Sequence, residues 1–241
     1  MLLVIFIVTV IVIMYTAHKR SKSTYKPTTE LIHEPIDLVY TWVNGSDEKW
    51  LAEKAKHRPP SAADNRTRRF RDNDEIRYSL RSVEQFAPWI RHIFIVTYDE
   101  NSYPSFLVPD HPKITIVPHS VIFKNKTHLP TYNSCAIEAN IGNIPGLSSR
   151  FLYANDDMMF GAPVTKNDFI NNKNQMLLGQ DMKWWTGWFS PRDAHNNAWR
   201  RLHRLLKRCC NARFWIPRPS HHIQIVDKHI LNSIFPEISF S

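Results

Sequence analysis

Asn155, Asp156 and Asp157 stand in a row inside "RFLYANDDMMFG", residues 150–161, a stretch that is otherwise almost wholly apolar after Arg150. Burying even a neutral polar group without a partner costs about 2–7 kcal/mol, and a carboxylate more. Something must compensate, and the compensation is either structural or chemical. A pair of adjacent carboxylates suits a hard divalent cation such as Mg²⁺ or Mn²⁺, which takes oxygen ligands. Successive side chains on an ideal strand point to opposite faces. One aspartate would therefore bind directly while the other orients it, unless a bend at the strand end turns both inward. An ordinary Asn-Asp turn is written with the same letters. A second polar group, "WVNGSD" from Trp42 to Asp47, offers Asn44 and Asp47; there a plain β-turn is the competing account.

These residues need elements to position them. "IDLVYTWV", residues 36–43, is β-branched and aromatic and stops at Asn44-Gly45, which predicts a strand and a turn. Asp72 or Asn73 is placed to cap a helix whose first turn holds Asp74 and Glu75, as the helix dipole prefers. Ile76, Leu80, Val83 and Ala87 follow at helical spacing, and Pro88 ends the run. "HIFIVTY" and "KITIVPH" predict two more strands, "SCAIEANIGNI" a helix, and "RFLYAN" a further buried strand. Strands alternating with helices predict an α/β fold with a mostly parallel sheet. Ligands of such sheets gather outside the carboxyl ends of the strands, where both polar groups fall.

Composition bounds the partners. A chain of 241 residues with 43% hydrophobic and 12% aromatic residues is long and apolar enough for one sizeable core. Its net charge of +9 suits a membrane surface, nucleic acid or a phosphorylated small molecule. No zinc-finger, RNA-recognition or helix-turn-helix pattern is present, so no nucleic-acid partner is expected. Cys135, Cys209 and Cys210 have no metal-ligand spacing and make no disulfide framework. "LLVIFIVTVIVIM", residues 2–14, has one polar residue and falls slightly short of the about 17–25 that span a bilayer comfortably. Without a basic leader or a small-residue cleavage site it predicts an uncleaved signal anchor over residues 1–18. A polar stalk, 19–34, and one domain, 35–241, follow. The basic "HKRSK" after the anchor favours a cytosolic domain, whereas the sequons at Asn65 and Asn125 favour a luminal one.

The chain resembles the Stealth family of sugar-1-phosphate transferases. The likeness is carried by "DLVYTWVNGSD", by "RFRDNDEIRYSLRSVEQFAPWIRHIFIVT", and by "HLPTYNSCAIEANIGNIPGLSSRFLYANDDMMFGAPVTKNDF", with "IPRPSHHIQIVDKHILNSIFPE" similar to the third region of that family. The resemblance implies a Rossmann-like, GT-A-related fold and transfer of sugar-1-phosphate from a UDP-sugar to a hydroxyl of a glycan or glycoprotein acceptor, with release of UMP. N-acetylglucosamine-1-phosphate is the group such relatives suggest. By the same resemblance Asp37, Trp42, Asn44 and Asp47 contribute to the nucleotide-sugar site, and Asn155, Asp156 and Asp157 form the acidic catalytic motif, with Asp157 as the metal ligand. His221, just before the last helix, is the implied base, with His222 as the fallback. Arg77 and Arg81 match the second region, lie opposite the apolar helix face and could reach phosphate oxygens; a solvated basic face is the plain alternative.

Phosphoryl transfer to a neutral hydroxyl is mostly positioning and charge neutralisation, which asks for these residue types. The family's fourth region has no counterpart before Ser241, which leaves a fragment or a truncated member as expectations. "KWWTGWF", residues 183–189, is a candidate acceptor-stacking platform. Likeness to eukaryotic members implies a type II protein of the Golgi membrane with a luminal domain. Two other readings stay open: a GT-A glycosyltransferase releasing UDP, and an inactive membrane-tethered binder.

Overall fold

The computed structural model describes residues 34–57, 72–108, 110–177, 179 and 221–234. The proposed anchor, the stalk up to residue 33, the sequon at Asn65 and the "KWWTGWF" stretch lie outside the described residues. Among the described residues no helix is long and apolar enough to cross a membrane.

Five strands form one sheet: β1 Asp37–Thr41, β2 Ile93–Thr97, β3 Ile114–Pro118, β4 Arg150–Asn155 and β5 Gln224–Asp227. Their order is β3-β2-β1-β4-β5. The first four pair in parallel, and β5 runs antiparallel to β4. The helices are α1 Glu48–His57, α2 Glu75–Phe86, the single turn α3 His119–Ile122, α4 Ser134–Asn140 and α5 Lys228–Ile234. The fold is α/β with a mostly parallel sheet, as the alternation of elements predicts. The chain moves outward from β1 to β2 and β3 and then returns to β4 on the other side of β1. Strand order therefore reverses between β1 and β4, and a crevice opens at their carboxyl ends.

Side-chain alternation splits the core in two. Leu38, Tyr40, Ile95, Leu152 and Ala154 pack with Ile76 and Val83 of α2 on one face. Val39, Phe94, Val96 and Phe151 pack with Ile122 and with Ala136 on the other. Each such large side chain contributes about 1.5–3 kcal/mol on burial, and a one-residue slip of a strand would reverse both sets.

Three local expectations are corrected. Neither Asp72 nor Asn73 caps α2; Asp74 occupies the cap position with φ 62°, and no side-chain cap bond forms. Asn73 instead donates from its backbone N and its Nδ2 to Glu75, at 2.7 and 2.6 Å. The "SCAIEANIGNI" helix tightens after Asn140 into a 3₁₀ turn, Ile141–Asn143. Finally, the His221-His222 pair precedes β5, and α5 follows only after that strand. Gln224 to Asp227 is a short strand without clean alternation, so its edge pairing is set by partners more than seventy residues away.

Candidate active site

Three elements converge on the crevice. β1 delivers Trp42 and Asn44, β4 delivers Asn155 followed by Asp156 and Asp157 in a turn, and the segment entering α2 brings Asp72 to Glu75. A cavity of about 360 Å³ lies between Trp42, Asn44 and Ser46, the Asp72–Asp74 segment, and Tyr103–Ser105. The Trp42 indole is buried and donates to Asp72 Oδ2 at 3.2 Å. Asn44 folds its Oδ1 back to accept from Ser46 N at 2.9 Å, which shapes the turn at the cavity mouth.

The protein answers these carboxylates unevenly: Asp72 and Glu75 accept hydrogen bonds, whereas Asp156 meets mainly like charge. Burial pushes the Asp156 carboxyl up to about 6, and Asp157, Asp72 and Glu75 add repulsion. Burial also raises Asp72, against the backbone N–H of Asp74 that donates to it. Glu75 is held below its ordinary value by its bonds from Asn73, so it stays ionised beside the others. Among the described residues no three His, Cys, Asp or Glu side chains converge into a cage that would hold an ion unaided. The donor set still fits a hard cation that takes its remaining oxygens from a bound diphosphate: the half-buried Asp156 is repelled by the carboxylates around it, and a positive charge would relieve it.

α2 fixes the acidic turn through residues the sequence does not single out. Ser79 Oγ donates to the Met158 carbonyl and contacts Tyr40 Oη at 2.6 Å. Ser82 Oγ accepts from Phe160 N at 3.0 Å. Both serines are buried. Polar residues lying with the apolar stripe of a predicted helix were the available signal.

The implied site residues separate into groups. Trp42, Asn44, Asp156 and Asp157 belong to the crevice. Asn155 sits at its edge, where Tyr153 Oη donates to its Oδ1 at 3.1 Å. The β4–β5 pairing ends at Tyr153↔Gln224, and His221 and His222 lie just ahead of it, before β5 begins. The His222 ring is set by its own neighbourhood: Nδ1 lies 2.6 Å from the Ile223 carbonyl, and a Cβ at Gly179 would collide with the ring.

Asp47 does a different job. Its Oδ1 accepts from Lys49 N at 2.8 Å and Trp50 N at 3.3 Å and so caps α1. Asp37 is not in the crevice at all. It begins β1, at the opposite end of the sheet, fully buried. Arg91 Nε and Nη2 donate to its two oxygens at 2.7 and 2.5 Å, and Ser148 N donates at 2.8 Å. This is a structural clasp, and it corrects the placement of Asp37 with the substrate. Arg77 pairs with Asp74 at 2.9 Å and lies over the Phe106 ring at 4.5 Å, next to the cavity rim. Arg81 is exposed one turn further on, 5.9 Å from the Tyr78 ring.

Two family models match the chain: Stealth protein CR1, conserved region 1, over residues 34–59, and Stealth protein CR2, conserved region 2, over residues 69–178. Together they take in more than half of the chain. The exopolysaccharide phosphotransferase SCO6023 of Streptomyces coelicolor is 43% identical over 162 residues, 65% of this chain and 27% of the relative. The exopolysaccharide phosphotransferase CpsY of Mycobacterium leprae is 48% identical over 139 residues, 56% of this chain and 25% of the relative. CpsY of Mycobacterium tuberculosis is 45% identical over 139 residues, again 56% of this chain and 26% of the relative. The chain thus spans about a quarter of the length of the curated relatives it matches. With the first region supplying the β1 exit and the second running from the entry to α2 through the acidic turn, the chain belongs to the Stealth family.

Proposed function

We propose that this domain is the donor-binding and catalytic part of a transferase that moves sugar-1-phosphate from a UDP-sugar to a hydroxyl of a polysaccharide or other glycan, releasing UMP. The observation that carries this is the Asp156 carboxyl, pushed up by burial and by the neighbouring Asp157, Asp72 and Glu75, at the strand-order reversal where Trp42, Asn44 and Asp72 line a cavity of about 360 Å³. The relatives' names, exopolysaccharide phosphotransferases, point the same way. N-acetylglucosamine as the sugar and a GT-A-related ancestry of the fold belong to the same proposal.

Asp157 is the proposed ligand of Mg²⁺ or Mn²⁺, with Asp156 beside it. When bound, that cation neutralises charge on the diphosphate and on the departing nucleotide. Trp42 and Asn44 form the cavity wall that receives the nucleotide, and Arg77 stands at its rim. The acceptor oxygen attacks the β-phosphorus, the bond to the oxygen bridging the two phosphates breaks, and UMP leaves with that oxygen. His221 takes the hydroxyl proton as the general base. His221→Ala is expected to lower kcat with little change in donor KM, and His222→Ala to do less.

The deciding experiment incubates the protein with UDP-N-acetylglucosamine, Mg²⁺ and candidate glycans, then separates UMP from UDP. Acceptor-dependent UMP supports the proposal. UDP as the acceptor-dependent product overturns it in favour of cleavage at the anomeric carbon. Placement of the domain in the Golgi lumen behind the 1–18 anchor is a further part of the proposal. Expressed in a secretory host, the protein should lose mass on endoglycosidase treatment, with the exposed Asn125 as an acceptor.

A further inference from the structure

α2 stands between two loops that do different work. Arg77 lies over the Phe106 ring at 4.5 Å, so its flank of the helix carries the loop whose Tyr103–Ser105 line the cavity. Ser79 and Ser82 hold the other loop: Ser79 Oγ donates to the Met158 carbonyl, and Ser82 Oγ accepts from Phe160 N at 3.0 Å. At about 100° per residue, these serines lie about 140–200° round the helix from Arg77, and Tyr78 falls about 40° from Ser82. Tyr78 is therefore on the flank of the acidic turn. A helical side chain covers the turn N-terminal to its own Cα, here the turn of Glu75, one of the carboxylates that act on Asp156. Tyr78 is 54% exposed, and Met159, between the two pinned residues, is 47% exposed. Two large side chains thus stand in solvent beside the acidic turn, on the side away from the cavity.

We propose that Tyr78 and Met159 form a ledge that receives a pyranose ring of the acceptor glycan. This deepens the transferase proposal and rests on it. In an in-line displacement the nucleophile and the leaving group stand on opposite sides of the phosphorus. With UMP departing toward the cavity, the acceptor hydroxyl comes from the flank of the acidic turn, where Tyr78 and Met159 are exposed. That turn follows β4, and the strand beyond β4 is β5, with His221 just ahead of it. A pyranose has a face of C–H groups that stacks on an aromatic ring, while its hydroxyls stay free for solvent or for Arg81, whose guanidinium is 5.9 Å from the Tyr78 ring. Two side chains fall far short of the about 800 Å² per partner that a stable protein interface buries, and suit a single sugar ring.

Saturation-transfer NMR reads the ledge without turnover. Maltohexaose, cellohexaose and mannohexaose are each added to the protein together with Mg²⁺ and UDP. Saturation should pass to the ring C–H protons of at least one of them in the wild type and in Tyr78→Phe, which keeps the ring. It should be lost in Tyr78→Ala, which removes a largely exposed side chain. In turnover with UDP-N-acetylglucosamine and that glycan, Tyr78→Ala should raise the acceptor KM about three- to tenfold, the worth of one aromatic contact, with donor KM little changed. Met159→Ala should do less. Sugar signals that survive Tyr78→Ala, no sugar signal with any of the three glycans, or a rise in donor KM in place of acceptor KM would overturn the ledge. A wild-type protein that releases no UMP, while its sugar signals still depend on Tyr78, would overturn the transferase proposal instead and leave the ledge standing.

Discussion

The two ends of one sheet treat a buried aspartate in opposite ways. At the amino edge, Asp37 is fully buried and fully answered, by a forked pair of bonds from Arg91 and by the Ser148 backbone. At the carboxyl edge, Asp156 is largely buried among Asp157, Asp72 and Glu75, and its carboxyl rises to about 6. Burial disfavours the ionised form at both places. The first is answered by an opposite charge; the second has only a backbone N–H against the repulsion of its neighbours. An aspartate that the fold neutralises serves the fold, whereas one surrounded by like charge is poised to take up a proton or a ligand that brings positive charge.

This contrast can be broken at either end. The largest effect is expected from Arg91→Ala, which leaves the Asp37 carboxylate buried with the single bond from Ser148 N; it should cost about 3 kcal/mol in urea unfolding. Asp156→Asn should act with the opposite sign. The folded-state pKa of Asp156 lies above its unfolded value of 3.8, so the folded state binds the proton first and the ionised group weakens the fold above about pH 6. The substitution should therefore stabilise the metal-free protein by about 2–3 kcal/mol at pH 8, and the gain should vanish as pH falls toward 4. It should also abolish transfer.

His119 sharpens the comparison. It follows β3, is buried with Nδ1 unpartnered, and burial lowers it to about 4. Its folded-state pKa lies below the unfolded 6.5, so its contribution is complete above pH 6.5 and is lost as pH falls toward 4. Asp156 and His119 thus oppose each other over nearly the same window, and Asp156→Asn should steepen acid unfolding. The smallest effect is expected from Ser79→Ala, which removes the hydroxyl donor to Met158: about 1–2 kcal/mol of stability, with a looser acidic turn and weaker donor binding by calorimetry.

Much of this was legible in the sequence. β4 coincides with "RFLYAN", and the acids fall where a parallel strand ends, because apolar runs and polar strand ends are local signals. Asp37 was not legible as a clasp. In one dimension it resembles any aspartate in a strand, and its partners lie 54 and 111 residues away. The same holds for α2: spacing placed Arg77 and Arg81 opposite the apolar face, but Ser79 and Ser82 meet Met158 and Phe160 across 79 and 78 residues. Asp47 drew notice for its carboxylate, and the structure uses that group to start α1, a helix whose "EKWLAEKAKH" carries too little apolar pattern to announce itself. The position of His221 and His222 just ahead of an edge strand depends on β5, whose pairing no local pattern specifies.

One measurement bears most directly on the carboxyl edge: the titration of Asp156 followed by carboxyl-carbon NMR, first in the apo protein and then with Mg²⁺ and UDP added together. The apo carboxyl should titrate near 6, well above the ordinary 3.8, and fall below that ordinary value once cation and diphosphate are both present, with either alone doing less. An Asp156 that titrates near 3.8 in the apo protein, or does not move when both are added, would contradict the account.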